Sequence, residues 1–135
     1  MSSKYLLVGI FVLLATGAIA FHGEQITGFI VSDYGKINVQ LSIENGNKSL
    51  TYNLELTPRD SAFDALKRVA VVDYRIFSNG IYITAINGIK QKDGHYWFYF
   101  VNGKAPNIGC DYYHPRDGDS IVFRYVSGKE ASKYL

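Results

Sequence analysis

The chain has 135 residues, of which 47% are hydrophobic and 19% charged; these totals fit one globular domain and exclude a disordered protein. Fourteen basic and twelve acidic residues give a formal net charge of +2, which offers no electrostatic support for a nucleic-acid partner. Eleven Tyr and eight Phe accompany a single Trp. Aromatic rings pack well on a pleated surface, so this excess favours a β-rich domain, with a Tyr-rich contact surface as the alternative.

Residues 1–20 predict a targeting segment. Lys4 precedes an apolar run over residues 5–15, and residues 18–20 have the A-x-A form of a signal peptidase site. The run is shorter than the roughly 20 apolar residues that cross a membrane, so we predict a cleaved signal peptide, with an uncleaved anchor as the alternative. Both place the domain outside the cytoplasm, secreted or at the cell surface, and only the anchor would hold it at a membrane.

The rest of the chain is divided by composition into an N-terminal extension, one domain and a polar tail, at residues 21–35, 36–127 and 128–135. Cys110 is the only cysteine, which rules out an internal disulfide, and its small and polar neighbours predict a buried thiol. Asn47 begins an Asn-Lys-Ser tripeptide and is a candidate glycosylation site.

A hairpin and a helix are the clearest elements in the sequence. Apolar and polar residues alternate over residues 37–43 and 50–56, and the Asn-Gly-Asn sequence between them favours a tight turn. Ser61 and Asp64 have the spacing of a helix capping box, and apolar residues follow at helical intervals up to Ala70. The pattern predicts one amphipathic helix that packs on a sheet.

The remaining elements are predicted to be strands. Further strands are expected at residues 26–31, 72–77, 82–86, 95–101 and 121–126, separated by Asn-Gly and Asp-Gly turns. The order of elements predicts an α+β fold with a mostly antiparallel sheet and one helix on one face, which is β-grasp-like.

Enzymatic and metal-binding patterns are missing from the sequence. Cys110 and His114 lack a third group that would orient a nucleophile and its base. The histidines are not spaced as metal ligands, and the acidic residues between 111 and 119 lack a calcium-loop pattern, so that residues 117–119 read as a solvated turn. We therefore predict a protein that is not an enzyme and has no metal site.

The strand at residues 95–101 is aromatic on both faces. His95, Trp97 and Tyr99 alternate with three other rings, Tyr96, Phe98 and Phe100. One face is expected to be core beneath the helix, and the face with Trp97 and Tyr99, together with the tip at residues 102–107, is expected to do the recognising. The alternative is a sheet that loops and the N-terminal segment cover on both sides.

Four segments carry a family resemblance: the helix start at residues 61–66, the strand at 80–88, Tyr96-Trp97, and the Gly-Cys-Asp-Tyr-Tyr to Asp-Gly-Asp stretch at 109–119. In this order and spacing, the chain resembles the C-terminal β-domain of the vitamin B12 carriers transcobalamin and intrinsic factor over about residues 50–126. The carriers hold cobalamin between this domain and a helical barrel, which 135 residues cannot contain.

The resemblance implies a non-enzymatic recognition module for a corrinoid or a similar flat ligand, with no cofactor assigned with certainty. The contacts that it implies are Ser78, Asn79, Tyr82, Trp97, Asn102, Lys104 and Pro106.

Two other functions remain open at this point. The first is a structural or assembly protein in which residues 22–35, with the apolar strand at 26–31, add a strand to the open sheet edge of a neighbouring copy. The second follows from an uncleaved anchor and is an accessory subunit beside a membrane complex.

Overall fold

The computed structural model describes residues 35–134, which form seven strands and two short helices. In chain order the elements are β1 Ile37–Asn45, β2 Lys48–Leu56, α1 Ala62–Val69, β3 Val72–Phe77, β4 Gly80–Ile86, β5 Ile89–Lys90, β6 His95–Val101, β7 Ser120–Ser127 and α2 Gly128–Ala131. The predicted leader, the strand at residues 26–31 and the rest of the extension up to residue 34 lie outside the described residues. Among residues 35–134, no helix has the length and apolar character that a membrane crossing requires.

The first sheet has four strands in the order β2-β1-β7-β6. The predicted hairpin is confirmed, since β1 pairs antiparallel with β2, and Asn47 is exposed in the turn between them. β1 also pairs parallel with β7, where Leu41 lies beside Ile121 and Ile43 beside Phe123. A parallel pair needs a long crossover, and the chain between β1 and β7 supplies it with the helix and the second sheet.

The second sheet has three antiparallel strands in the order β3-β4-β5. The Ser78-Asn79 turn joins β3 to β4, and Asn87, with a φ of 49°, and Gly88, with a φ of 80°, form the next turn. Asn and Gly tolerate this left-handed conformation, so both turns form where the sequence predicts them. The single sheet expected from the sequence is thus divided into two, and the short β5 was not predicted.

Helix α1 packs on the first sheet and begins at the predicted capping box. Asp64 N–H donates to Ser61 Oγ at 3.1 Å, and Ser61 N–H donates to the Asp64 carboxylate at 3.0 Å. Phe63 and Leu66 are buried in the hydrophobic core to which Leu41 of β1 and Phe123 of β7 also belong. The next free N–H groups at this end, those of Ala62 and Phe63, donate to carbonyls of the long β6–β7 loop at Tyr113 and Cys110.

The other face of the first sheet is partly covered by α2 and the residues after it. Ala131 is buried, and the Tyr134 ring meets the Phe100 ring edge-on at a centroid distance of 4.9 Å. Arg124 lies over the same Phe100 ring at 5.0 Å and bonds Glu44 on β1. The C-terminal residues therefore shield part of an aromatic surface, and the sequence predicted no helix there.

Candidate functional site: a cleft between two strand edges

The two sheets end at strand edges that face each other across a cleft. β6 is the last strand of the four-stranded sheet, and β4 is covered on its second side only by β5, which pairs with Ala85 and Ile86. The first half of β4 therefore has an edge without a strand partner among residues 35–134. The β5–β6 turn closes one end of this gap, and the β6–β7 loop closes the other.

The edge of β6 presents backbone groups to the cleft. The His95 and Val101 N–H groups donate away from β7, to the carbonyls of Lys92 and Lys104. Because backbone direction alternates along a strand, the N–H and C=O groups of Trp97 point to the same side. So do those of Tyr99, and no strand within residues 35–134 pairs with them.

The facing edge of β4 is held by two side chains from the loops. Asp111 Oδ1 accepts the Ile81 N–H at 3.2 Å, and Gln91 Nε2 donates to the Ile83 carbonyl at 2.6 Å. The Tyr82 hydroxyl in turn donates to Gln91 Oε1 at 2.9 Å. These contacts fix the edge without a strand beside it, and they leave the Ile83 N–H and the Ile81 carbonyl pointing into the gap.

Glycine lets the β6–β7 loop approach β4 this closely. A Cβ atom at Gly109 would lie 2.6 Å from Asp111 Oδ1, and a Cβ at Gly80 would lie 3.0 Å from the same atom. Gly80 also has a φ of 127°, which side-chain-bearing residues rarely adopt. The two glycines therefore allow the Asp111 carboxylate to reach the start of β4.

The space between the edges, here called the β4–β6 cleft, has a volume of about 350 Å³. Most of its lining is apolar or aromatic, and its walls come from β4, β6 and the start of the β6–β7 loop. The lining residues are Ile81, Tyr82, Ile83, Tyr96, Trp97, Phe98, Tyr99, Ala105, Pro106, Asn107, Gly109, Cys110, Phe123 and Tyr134.

Two wider depressions adjoin the cleft, and Tyr82 lines all three. One, of about 590 Å³, is bordered by charged side chains that include Arg75 and Lys92. The other, of about 630 Å³, includes Asn79 and Tyr112. Tyr82 is 45% exposed at this junction, so part of its ring is accessible to a ligand.

Trp97 and Tyr99 do not lie on the outer face that the sequence interpretation gave them. In the β6–β7 register, Trp97 lies beside Tyr125 and Tyr99 beside Phe123, and Phe123 faces the core beneath α1. Trp97 is only 8% exposed, and its indole N–H donates to the Ile89 carbonyl at 2.9 Å. That interpretation was wrong because the parallel β1–β7 pair, not visible in the sequence, decides which face of β6 is inward.

The structure brings together three of the seven predicted contact residues, Tyr82, Trp97 and Pro106, around the β4–β6 cleft. Asn79 lines the adjoining 630 Å³ depression, and Ser78 is exposed beside it in the β3–β4 turn. The other two lie at the tip after β6 and do not line the cleft: Lys104 is exposed, and Asn102 bonds to Asp119 and Ser120.

Asp119 is a buried anchor of this tip, not part of a solvated turn. Its carboxylate accepts from the Asn102 amide at 2.9 Å, the Tyr113 hydroxyl at 2.7 Å and the Arg116 N–H at 2.9 Å. Burial raises the pKa of Asp119, but these hydrogen bonds outweigh burial and leave that pKa below its ordinary value. Burial and the bond to Asp119 raise the pKa of Tyr113 to about 12.

The groups at the base of the cleft stay neutral near pH 7. Burial, assisted by Asp111, raises the pKa of the Cys110 thiol to about 12, and burial also raises the pKa of Tyr99. A thiol in this state is a poor nucleophile. Among the described residues, no three His, Cys, Asp or Glu side chains are grouped to hold a metal ion. The arrangement can bind apolar surface and satisfy hydrogen-bonding groups.

Several cleft residues were not predicted from the sequence. Ile81 and Ile83 contribute backbone edges, and Gln91 and Asp111 hold those edges. Tyr96 lines the cleft although it belongs to the other face of β6. No sequence pattern marks an unpaired strand edge. In the structure, the edge is evident because β4 has seven residues and its partner β5 has only two.

Residues 60–127, half of the chain, match the family described as "Domain of unknown function (DUF4430)". The chain belongs to the DUF4430 family. The DUF4430 match begins just before α1 and ends with β7, so it includes both edges of the β4–β6 cleft. No curated protein matches the chain significantly.

Solved structures share the fold of this DUF4430 domain. One is a candidate metal-binding protein from Ruminococcus gnavus ATCC 29149, with a TM-score of 0.61 and 18% identity over 68% of this chain and 98% of that one. Another is haptocorrin in complex with Cbi (cobinamide), with a TM-score of 0.61 and 21% identity over 68% of this chain and 25% of that one. At these identities the likeness shows only that the fold is shared. The shared fold agrees with the resemblance to the B12-carrier domains that the sequence indicates.

Proposed function

We propose that this chain is an extracytoplasmic, non-enzymatic recognition module that binds a flat, partly apolar ligand at the β4–β6 cleft. The observation that carries the proposal is a cleft with aromatic walls whose two long sides are strand edges, and no strand within residues 35–134 pairs with the backbone groups of those edges. The apolar walls favour burial of a ring system. The edges offer N–H donors and C=O acceptors to polar groups around that ring, which supports orientation of the ligand.

A corrinoid is the specific ligand class that we propose. A corrin has a broad, flat, largely apolar ring with amide groups around its rim, which matches apolar walls between amide-bearing edges. A cleft of about 350 Å³ holds only part of such a ring, and the exposed Tyr82 ring and the two adjoining depressions would support the remainder. The haptocorrin complex with Cbi supports this choice by fold.

Equilibrium dialysis with dicyanocobinamide tests the proposal. We expect saturable binding that the Tyr82→Ala variant weakens about tenfold or more, because a stacked aromatic ring contributes on the order of 1 kcal/mol beyond its buried area. Leu50→Ala is the matched control, since Leu50 is 52% exposed on β2, far along the sheet order from the cleft. Absence of binding, or equal losses in both variants, would argue against the site.

The extracytoplasmic location is tested separately. We expect the intact mass of the protein from its native host to correspond to a chain that starts at Phe21. A mass that includes residues 1–20 would instead favour the anchored accessory subunit.

Assembly by strand addition is the second candidate function, and the open edge of β6 favours it. The backbone groups of Trp97 and Tyr99 would pair with an extended segment of another copy, such as its residues 26–31. Size-exclusion chromatography of chains with and without residues 21–34 tests this function. If this function is correct, we expect the longer chain to form larger species than the shorter chain, and identical sizes for the two chains would refute it.

A further inference from the structure

The outer edge of β3 is a second strand edge, on the side of β4 away from the cleft. The Val71 N–H bonds to Asn87 Oδ1, and the Asn87 N–H bonds to the Val71 carbonyl at 2.8 Å, so Val71 faces β4. Alternation then turns the backbone groups of Val72, Tyr74 and Ile76 outward. Within residues 35–134 no strand pairs with this edge.

This edge is regular and exposed, and one of its two faces carries no charge. The register shift in the second sheet places its extra residue, Thr84, in β4, so the six residues of β3 remain a continuous strand. Ile76 is 76% exposed and Tyr74 43% exposed. Proteins commonly protect such edges with Pro or with charged side chains; β3 contains no Pro, and its two charges, Asp73 and Arg75, have opposite signs. An edge of this kind is suited to pair with another strand.

The charges of β3 are arranged so that two copies of the strand, related by a two-fold axis, place opposite charges beside each other. Asp73 and Arg75 flank Tyr74, and both are exposed. Neither takes part in the four ion pairs among residues 35–134. When two copies of an antiparallel strand are related by an axis at one residue, the residue before it lies opposite the residue after it.

We propose that β3 pairs with β3 of a second copy of this chain, antiparallel and centred on Tyr74. In this register Asp73 lies opposite Arg75 of the other copy on one face, and Val72 lies opposite Ile76 on the other. The outward backbone groups form three directly bonded pairs, or about six hydrogen bonds. The two three-stranded sheets become one six-stranded sheet.

Other registers are less favourable. An axis at Arg75 places two arginines opposite each other, which is destabilising in a sheet. An axis at Ile76 leaves Asp73 opposite Asn79 and forms no ion pair. The register centred on Tyr74 also leaves the β4–β6 cleft accessible, because β3 lies on the far side of β4.

Charge reversal tests the pairing in the full-length protein by sedimentation velocity over a range of concentrations. The R75D variant places a carboxylate opposite Asp73 of the other copy at both positions where an ion pair was expected. We therefore expect the dimer dissociation constant to rise about tenfold. The double variant D73R/R75D restores opposite charges and should recover wild-type dimerisation. R59D, the same change at an exposed loop residue, is the matched control and should have no effect. A monomer at all concentrations, an unaffected R75D or a double variant that fails to recover would overturn the proposal.

Disulfide trapping tests the register itself. The two copies of residue 74 would have Cα atoms about 5.5 Å apart, within disulfide range, whereas the two copies of residue 76 would be about 13 Å apart along the strands. We therefore expect oxidised Y74C to form a covalent dimer and I76C to remain monomeric under the same conditions. Ile76 is the more exposed position, so random collision would cross-link I76C at least as readily. Equal cross-linking of both variants would overturn the proposal.

Discussion

At the scale of single residues, some of the side chains that the sequence suggests for recognition line the candidate cleft, and others make structural hydrogen bonds. Tyr82 and Pro106 line the cleft, whereas Asn102 uses both ends of its amide to hold Asp119 and the Ser120 N–H. The sequence does not reveal whether the hydrogen-bond partner of a polar turn residue is the protein or a ligand, so it does not distinguish a structural residue from a binding residue. Asn102 is a structural residue of this kind, since its amide donates one of the hydrogen bonds that the Asp119 carboxylate accepts.

Asp119→Asn should destabilise the protein by about 2 kcal/mol at pH 7, because a charged acceptor of three hydrogen bonds becomes a neutral amide. The folded-state pKa of Asp119 is lowered, so its contribution is present above the ordinary Asp pKa and is lost as pH falls through the lowered value. We expect urea denaturation to give a difference from wild type that shrinks below about pH 4. Asp93→Asn, in an exposed turn, is the control; a pH-independent difference would contradict the assignment.

Cys110 should be unreactive while the protein is folded. Burial raises the pKa of its thiol to about 12, so the thiolate is scarce at pH 8, and the side chain is only 4% exposed. We expect a thiol reagent such as dithionitrobenzoate to label the protein slowly in buffer and rapidly in denaturant. Rapid labelling of the folded protein would mean that the base of the cleft opens to solvent.

At the scale of elements, local patterns predicted what local interactions form. The β1–β2 hairpin follows from alternation and a turn sequence, and α1 follows from the Ser61 capping box and its apolar stripe. β5 has two residues and α2 has four, and elements this short cannot show a hydrophobic periodicity in the sequence.

Ser61→Ala should cost about 1–2 kcal/mol of stability, because the Asp64 N–H loses its acceptor at the start of α1 and Ser61 is buried. Thermal unfolding measured by circular dichroism would give the change. Ser127→Ala removes the equivalent acceptor from the four-residue α2 and should cost less. No loss of stability in Ser61→Ala would mean that α1 is held by its core packing alone.

At the scale of the whole molecule, the division into two sheets creates the site, and the sequence did not predict it. The strand segments were predicted individually, but strand order depends on contacts such as Ile43 beside Phe123, which are far apart in the chain. The face of β6 that points inward depends on the same contact. The aromatic content predicted a recognition surface on a sheet face, whereas our proposal assigns recognition to a gap between strand edges.

Among residues 35–134, the same division leaves two strand edges without a strand partner on opposite sides of β4, one at the cleft and one along β3. Our proposals assign them different partners, a flat ligand at the first and a second copy at the second. Because β4 separates them, and because Ile76 lines neither the cleft nor its two adjoining depressions, loss of dimerisation in I76D should leave cobinamide binding unchanged.

The most direct test of the β4–β6 cleft is a titration of the isotopically labelled protein with dicyanocobinamide, followed by amide nuclear magnetic resonance. We predict that the largest shifts fall on the backbone amides of Ile83, Trp97 and Tyr99 and on the Trp97 indole. Shifts concentrated on the β1–β2 hairpin or on the tip around Lys104, with the amides of β4 and β6 unchanged, would contradict the account.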